Sequence, residues 1–238
     1  QSGEFRRSQN WIGGTRPGNA IFVPPPQDQV LDLMSSLEKF IHADTPEIPA
    51  LVKAGLVHVQ FETIHPFLDG NGRLGRLLIT FILCAQGILK EPLLYLSLYF
   101  KTHRQQYYDL LQRVREIGDW EAWLEFFLEG VAETSAQAAD AAREILDLFE
   151  RDRRRIEGLG RPAASALRVH QLLQVKPFIK IPEAVKQLGV SQPTVSKSIR
   201  HLREMGILRE VTGKRRRRMF VYDSYLNILN RGTEPLPR

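Results

Sequence analysis

Two apolar stretches with helical spacing are joined by a short turn that limits the fold more than any other part of the 238-residue chain. The joining segment reads His65-Pro-Phe-Leu-Asp-Gly-Asn-Gly-Arg-Leu-Gly-Arg76. Pro66 ends the helix before it, because the residue preceding a proline avoids the α region. Gly70 and Gly72 permit left-handed backbone angles and let an anion come close. The next helix then begins with free amides and a positive dipole end, which attract phosphate. Arg73 and Arg76 stand three residues apart, a spacing that puts both guanidiniums on one face as a polyphosphate clamp. Asp69 would repel phosphates unless a cation lay between them, and one carboxylate plus phosphate oxygens is a Mg²⁺ arrangement. His65, just before the turn, is placed to take a proton from an incoming nucleophile.

Other phosphate and metal loops fit poorly. The chain has no Gly-x-x-x-x-Gly-Lys-Ser/Thr phosphate loop. A calcium loop starting at Asp69 would need glycine sixth and glutamate twelfth, where Leu74 and Thr80 stand. A plain structural turn explains the glycines. It does not explain two arginines, an aspartate and a histidine gathered around them.

Helical periodicity recurs along much of the chain. It predicts helices over 28–42, from Pro49 to Ile64, 73–86, 98–117, 119–131 and 132–155. Ala20 to Val23 is a β-branched and aromatic run stopped by Pro24, Pro25 and Pro26, which suits an edge strand or hairpin arm. The segment 158–162, Gly-Leu-Gly-Arg-Pro, reads as an interdomain hinge. Beyond it come helices over 163–175, 181–188 and 192–205, then β-like runs over 207–211 and 219–222. That order is a winged helix-turn-helix. The expected domains are 1–158 and 159–238.

Charge divides along the same line. Residues 1–150 hold 13 Lys/Arg and 20 Asp/Glu, a net of −7, whereas 151–238 hold 20 and 7, a net of +13. A basic module of this kind suits an anionic polymer. In the helix 192–205, Gln192, Thr194, Ser196, Lys197 and Arg200 can meet base edges. Lys214, Arg215, Arg216, Arg217 and Arg218 on the wing can meet backbone phosphates. A protein-docking winged helix is the competing reading. One cysteine, Cys84, rules out an intrachain disulfide framework and suits the cytoplasm. No stretch is apolar and long enough for a membrane helix, and no secretory leader pattern is present.

The segment His65–Arg76 resembles the Fic signature, His-x-Phe-x-Asp/Glu-Gly-Asn-Gly-Arg-x-x-Arg, at every specified position. The likeness extends to Ile21–Pro26, Gln60–His65, Leu94–Ser97 and Arg104–Tyr108, and covers roughly 4–150. It implies a mainly α fold, a Fic helical bundle with a short β-hairpin flap, followed by a small winged helix-turn-helix domain. It implies transfer of AMP from ATP to a Ser, Thr or Tyr hydroxyl of a protein. In that mechanism His65 is the general base and Asp69 holds Mg²⁺. Gly70, Gly72 and the Asn71 side chain form the anion hole, Arg73 contacts phosphates, and Arg76 grips the γ-phosphate. Tyr107 and Tyr108 match positions beside base and ribose, with a core aromatic pair as the equal alternative. Asn19, Ala20, Ile21 and Phe22 match a flap that aligns the target by strand addition. The alternative functions are a DNA-binding regulator whose Fic domain senses nucleotide, and an enzyme that transfers another phosphate-containing group or removes AMP. The expected partners are a protein substrate, DNA and a second copy of the chain. The Ser/Thr-x-x-x-Glu-Gly/Asn inhibitory helix of many relatives is not matched here, and the resemblance implies either that it lies upstream of residue 1 or that another molecule supplies the inhibitor.

Overall fold

The computed structural model describes residues 3–90, 95–213 and 218–231. The chain is mainly helical and forms two compact units, Gln1–Ala138 and Ala139–Arg238. Helices α1 (Val30–His42), α2 (Ala50–Ile64), α3 (Asn71–Ala85), α4 (Leu96–Thr102) and α5 (Arg104–Ile117) lie in the first unit. Helix α6 (Trp120–Glu157) contributes to both units.

Helix α2 is the centre of the first unit. It is apolar around most of its circumference, and Ala54, Val57, Val59, Phe61 and Ile64 are all buried. A helix with no polar face must be enclosed. Here α1, α3 and α5 pack on it, and Trp123 of α6 donates its indole N–H to the Gly55 carbonyl at 3.0 Å. Gly55 allows that approach, since a Cβ there would lie 3.1 Å from the Phe127 ring.

The expected helix 98–117 breaks at His103, giving α4 and α5. The two helices expected over 119–131 and 132–155 are instead one, α6. Gly130 resembles a breaker in the sequence. Its role is close packing, because a Cβ there would stand 2.5 Å from the Tyr99 ring. The units divide inside α6, ahead of the 158/159 boundary expected from composition. The physical reason is the stripe Ala141, Ile145, Leu148, Phe149 and Ile156, which packs into the second core. The glycine-rich stretch 158–162 is therefore a turn within the second unit.

That unit has α7 (Ala163–Val175), β1 (Phe178–Lys180), α8 (Ile181–Leu188), α9 (Gln192–Glu204), β2 (Arg209–Glu210), β3 (Met219–Val221) and α10 (Asp223–Asn230). The antiparallel sheet has the order β1-β3-β2, with Phe178 opposite Val221 and Arg209 also opposite Val221. Strand β1 and helix α10 have no counterpart in the periodicity reading. Asp152, 2% exposed, accepts the Tyr222 hydroxyl at 2.7 Å and Arg155 at 2.9 Å. The buried carboxylate is thus held by donors from two elements.

Candidate functional site

His65 caps the C-terminus of α2 with φ 49° and ψ 60°. It is the one non-glycine residue with positive φ among the described residues. A left-handed conformation costs a branched or bulky residue on the order of 1 kcal/mol or more and needs support from its surroundings. Arg6 supplies it. The residue is only 3% exposed, and its guanidinium donates to the His65 carbonyl at 3.0 Å, to the Ile64 carbonyl at 3.4 Å and to the Pro25 carbonyl. The Arg6 amide donates to the Pro66 carbonyl at 2.8 Å. Asn10 donates to the Phe67 carbonyl at 3.2 Å, and Gln9 to the Pro24 carbonyl at 2.8 Å. Residues 6–10 therefore form a bonded spine between the flap and the turn.

The loop after His65 is fixed from within. Asn71 is buried, and both ends of its side-chain amide are committed to Phe67, accepting from its N–H at 2.9 Å and donating to its carbonyl at 2.7 Å. As folded, these bonds make the side chain a brace that shapes the loop. Gly70 has φ 87° and caps α3, so the first amides of that helix point back at the turn. Asp69 accepts from the Gly70 amide at 2.7 Å and keeps its side chain 94% exposed. Among the described residues no three His, Cys, Asp or Glu side chains gather at a metal-binding distance. A lone exposed carboxylate beside a phosphate-seeking helix end suits Mg²⁺, which completes its shell with phosphate oxygens and water.

Arg73 and Arg76 diverge. Arg73 lies 3.4 Å from Asp69 and lines an open cavity of about 540 Å³ with residues 3–8, Phe67 and Leu68. Arg76 lines a different cavity, of about 270 Å³, with Ser97, Lys101, Arg104, Tyr107 and Tyr108. Both guanidiniums still reach back over the turn, since a Cβ at Gly70 would lie 3.4 Å from Arg73 and one at Gly72 3.2 Å from Arg76. The helical turn carries Arg76 toward the buried Glu62, whereas Arg73 stays beside Asp69. Tyr108 is half exposed under the Arg104 guanidinium, 5.7 Å from its ring centre. Tyr107 is a core residue at the cavity edge, its hydroxyl 2.9 Å from His58 Nε2.

Ionisable groups are buried in the same region. His58 is fully buried, and desolvation drives its pKa down to about 4. Burial pushes the Glu62 carboxyl up to about 7, with the Arg76 and Arg115 charges opposing the rise. The Glu62 Oε1 atom is buried without a hydrogen-bond partner, and Oε2 lies 3.9 Å from His65 Nδ1. Burial also lowers the His65 pKa, with the Arg115 and Arg6 charges acting in the same direction and the Glu62 backbone against it. A neutral imidazole at pH 7 is the form that can accept a proton.

The flap is a hairpin closed by the bridge Ile12–Phe22. Gly13 and Gly14 turn it with φ of 70° and 67°. Asn19 is a turn former, its Oδ1 accepting from the Thr15 and Arg16 amides at 2.9 Å each. Ala20 follows half-buried, and Ile21 is 70% exposed. Phe22 packs under the Arg115 guanidinium, 3.9 Å from its ring centre. Sequence reasoning missed Arg6, His58, Glu62 and Arg115. Only the apolar setting of His58 and Glu62 in α2 hinted at burial.

In the second unit, α9 is capped by Ser191, whose Oγ lies 2.8 Å from Thr194 Oγ1. Gln192, Lys197 and Arg200 are exposed, whereas Thr194 and Ser196 are partly covered. Arg218 faces Glu210 at 3.6 Å. Lys214, Arg215, Arg216 and Arg217 lie outside the described residues.

Residues 1–83 match the Fic/DOC family, and residues 164–209 match the winged helix-turn-helix DNA-binding family. The chain thus carries a Fic/DOC domain followed by a C-terminal winged helix-turn-helix. Among known proteins it is similar to Protein adenylyltransferase Fic of Culex quinquefasciatus, 33% identical over 150 residues. The same-named protein of Aedes aegypti is 34% identical over 150 residues. Each alignment covers 63% of this chain and 25% of the relative, so the chain matches about a quarter of those proteins' length. A crystal structure of a Fic family protein from Desulfovibrio desulfuricans G20 shares the fold, with a TM-score of 0.54 and 21% identity. That match covers 93% of this chain and 63% of the other. No helix among the described residues is long and apolar enough to cross a membrane.

Proposed function

We propose that the first unit transfers AMP from ATP to a hydroxyl side chain of a protein. The observation that carries this reading is His65. Its neutral imidazole is held in a left-handed cap beside the glycine-rich start of α3, the helix that also carries Arg73 and Arg76. The names of the relatives above point the same way.

In the reaction, His65 takes the proton of a Ser, Thr or Tyr hydroxyl. The oxygen forms a bond to the α-phosphorus of ATP, the bond from that phosphorus to the bridging oxygen breaks, and pyrophosphate leaves. The α3 amides at Asn71 and Gly72 meet charge developing on the phosphoryl oxygens, an effect worth several kcal/mol when donors are fixed in advance. Arg76 binds the polyphosphate tail from the cavity that Tyr108 and Arg104 share, and Arg73 adds charge on the Asp69 side. A Mg²⁺ ion held by Asp69 and phosphate oxygens would neutralise charge on the leaving pyrophosphate. The flap edge at Ala20 to Phe22 takes the target chain as an added strand. The second unit is read as a DNA-contacting module, on the strength of its family match and its charge.

The test uses ATP labelled at the α- or γ-phosphate, with cell lysate as the source of acceptors. Transfer of α-label alone is expected. Replacing His65 with Ala should reduce it by about 10²–10⁴-fold while ATP still binds. Transfer of γ-label, or wild-type labelling by the His65→Ala protein, would reject the reading.

A further inference from the structure

Arg115 of α5 is a half-buried arginine that the reaction above does not use. Its NH2 group donates to the Glu62 carbonyl at 3.1 Å, and its Nε to Thr63 Oγ1 at 3.4 Å. Both acceptors lie in the last turn of α2, just before His65. The same guanidinium covers the Phe22 ring, with its carbon 3.9 Å from the ring centre. One turn earlier on α5, Gln112 donates to the Ile21 carbonyl at 3.4 Å. On the other side of the flap, Arg6 links the Pro25 carbonyl to those of Ile64 and His65. The segment 21–25 is therefore fastened at both ends to the helix end 62–65.

We propose that Arg115 is a positioning residue that sets the distance between the flap edge and His65. The inference rests on the AMP-transfer reading and deepens it. A target strand added to the flap finds its register from backbone atoms at 20–23. Its hydroxyl meets His65 only if the flap keeps a fixed offset from the end of α2. A single hairpin bridge cannot fix that offset, because an isolated two-stranded hairpin is marginal on its own. Arg115 can. Its planar group stacks on an aromatic ring through one face and donates in its plane to two acceptors, a combination that lysine's point charge does not reproduce. Burial strengthens each of these contacts relative to water.

The experiment compares wild type with Arg115→Ala, Arg115→Lys and Phe22→Leu in the full chain. Hydrogen exchange of the amides at Ile12, Ile21 and Phe22 is the first readout, since all three donate within the hairpin. Arg115→Ala should raise their exchange by on the order of tenfold while α1 keeps its protection. Phe22→Leu should move the same amides in the same direction by less. Arg115→Lys should fall between Arg115→Ala and wild type. The second readout is AMP transfer to a degenerate peptide mixture containing Ser, Thr and Tyr. KM for peptide should rise on the order of tenfold in Arg115→Ala, with the ATP dissociation constant unchanged by calorimetry.

Wild-type exchange of the flap amides in both Arg115→Ala and Phe22→Leu overturns the proposal. So does a rise spread equally over α2 and α5, which would make Arg115 a general packing residue. An unchanged peptide KM with a loosened flap also overturns it. If the wild type labels no peptide, the AMP-transfer reading is what fails, and the exchange pattern alone decides whether Arg115 anchors the flap.

Discussion

Arg6 and His65 are 59 positions apart in sequence, yet the Arg6 Nε donates to the His65 carbonyl at 3.0 Å. The bond holds the carbonyl of the residue with the strained backbone, whose imidazole Nδ1 lies 3.9 Å from Glu62 Oε2. A charge-assisted bond to a buried carbonyl contributes about 1.5–3 kcal/mol. Here one guanidinium serves the carbonyls of His65, Ile64 and Pro25.

Replacing Arg6 with Ala should lower Tm and reduce AMP-transfer kcat by about 10–10²-fold, the scale expected when a reacting group shifts by about 1 Å. The ATP dissociation constant should change little. Arg6→Lys keeps the charge and loses the fork, so it should recover solubility and stability more than kcat. A full wild-type kcat in Arg6→Ala would mean that the Asn71–Phe67 bonds alone hold His65 in place.

Helix α2 makes a prediction about pH. The Glu62 pKa is raised from 4.5 to about 7 in the fold. Its contribution to stability is therefore fully present below pH 4.5 and lost as pH rises through about 7. The His58 pKa is lowered from 6.5 to about 4. Its contribution is fully present above pH 6.5 and lost as pH falls through about 4. The two slopes oppose each other across nearly the same window. Relative to wild type, Glu62→Gln should gain stability progressively from pH 4.5 to 7. His58→Gln should gain it progressively from pH 6.5 down to 4. Thermal melts of the three proteins at half-unit pH steps check this, and parallel curves would refute it.

The two glycines of α3 should respond differently to alanine. A Cβ at Gly75 would lie 2.6 Å from Glu62 Oε1, 3.2 Å from the Phe61 ring and 3.3 Å from the His58 ring. Overpacking of that kind costs about 1–3 kcal/mol, against a helix-propensity gain of about 1 kcal/mol. Gly75→Ala should therefore lower Tm. A Cβ at Gly72 would lie 3.2 Å from the tip of Arg76, a flexible side chain that can shift by a few tenths of an ångström, and in ordinary contact with Glu62 Oε1 at 3.8 Å. Gly72→Ala should leave Tm unchanged or raised and weaken ATP binding. Equal Tm changes in the two variants would contradict this account of the packing.

The sequence reveals parts of this structure unevenly, for physical reasons. A helix with a clear apolar period, such as α1, is legible because its burial is local and regular, and α2 is legible as a long apolar run closed by Pro66. The turn His65–Arg76 is legible because its glycines and charges are adjacent. The continuity of α6 is not, since Gly130 looks like a stop until the Tyr99 ring fills its space. Strand β1 has three residues, too few to show alternation. Helix α10 did carry a signal, with Asp223 at its start and Leu226, Ile228 and Leu229 behind it. Arg6 and Arg115 are the hardest cases. Their partners are backbone carbonyls tens of positions away, which no spacing rule encodes. The partner of the Tyr107 hydroxyl is hidden in the same way, since His58, unremarkable in sequence, faces it at 2.9 Å.

The last prediction concerns the second unit. Helix α9 exposes Gln192, Lys197 and Arg200, while Ser191 and Thr194 bond to each other at its cap. If α9 enters a major groove, Lys197 and Arg200 are the long donors able to reach guanine edges, each such contact discriminating by about 1–3 kcal/mol. Ser196 and Thr194, partly covered, should contribute less. The wing's Arg218 faces Glu210, which offsets part of its charge, so its replacement should weaken binding only slightly. Affinity of the full chain for DNA should fall steeply with salt, because each phosphate neutralised releases counterions. Anisotropy titrations against random and selected duplexes at two salt concentrations check this. Lys197→Ala and Arg200→Ala should narrow the gap between selected and random duplexes. Arg218→Ala should lower both affinities alike and flatten the salt slope by up to about one unit. If the chain binds no duplex at low salt, the DNA reading is rejected and the basic surface of the second unit is left to an acidic protein partner.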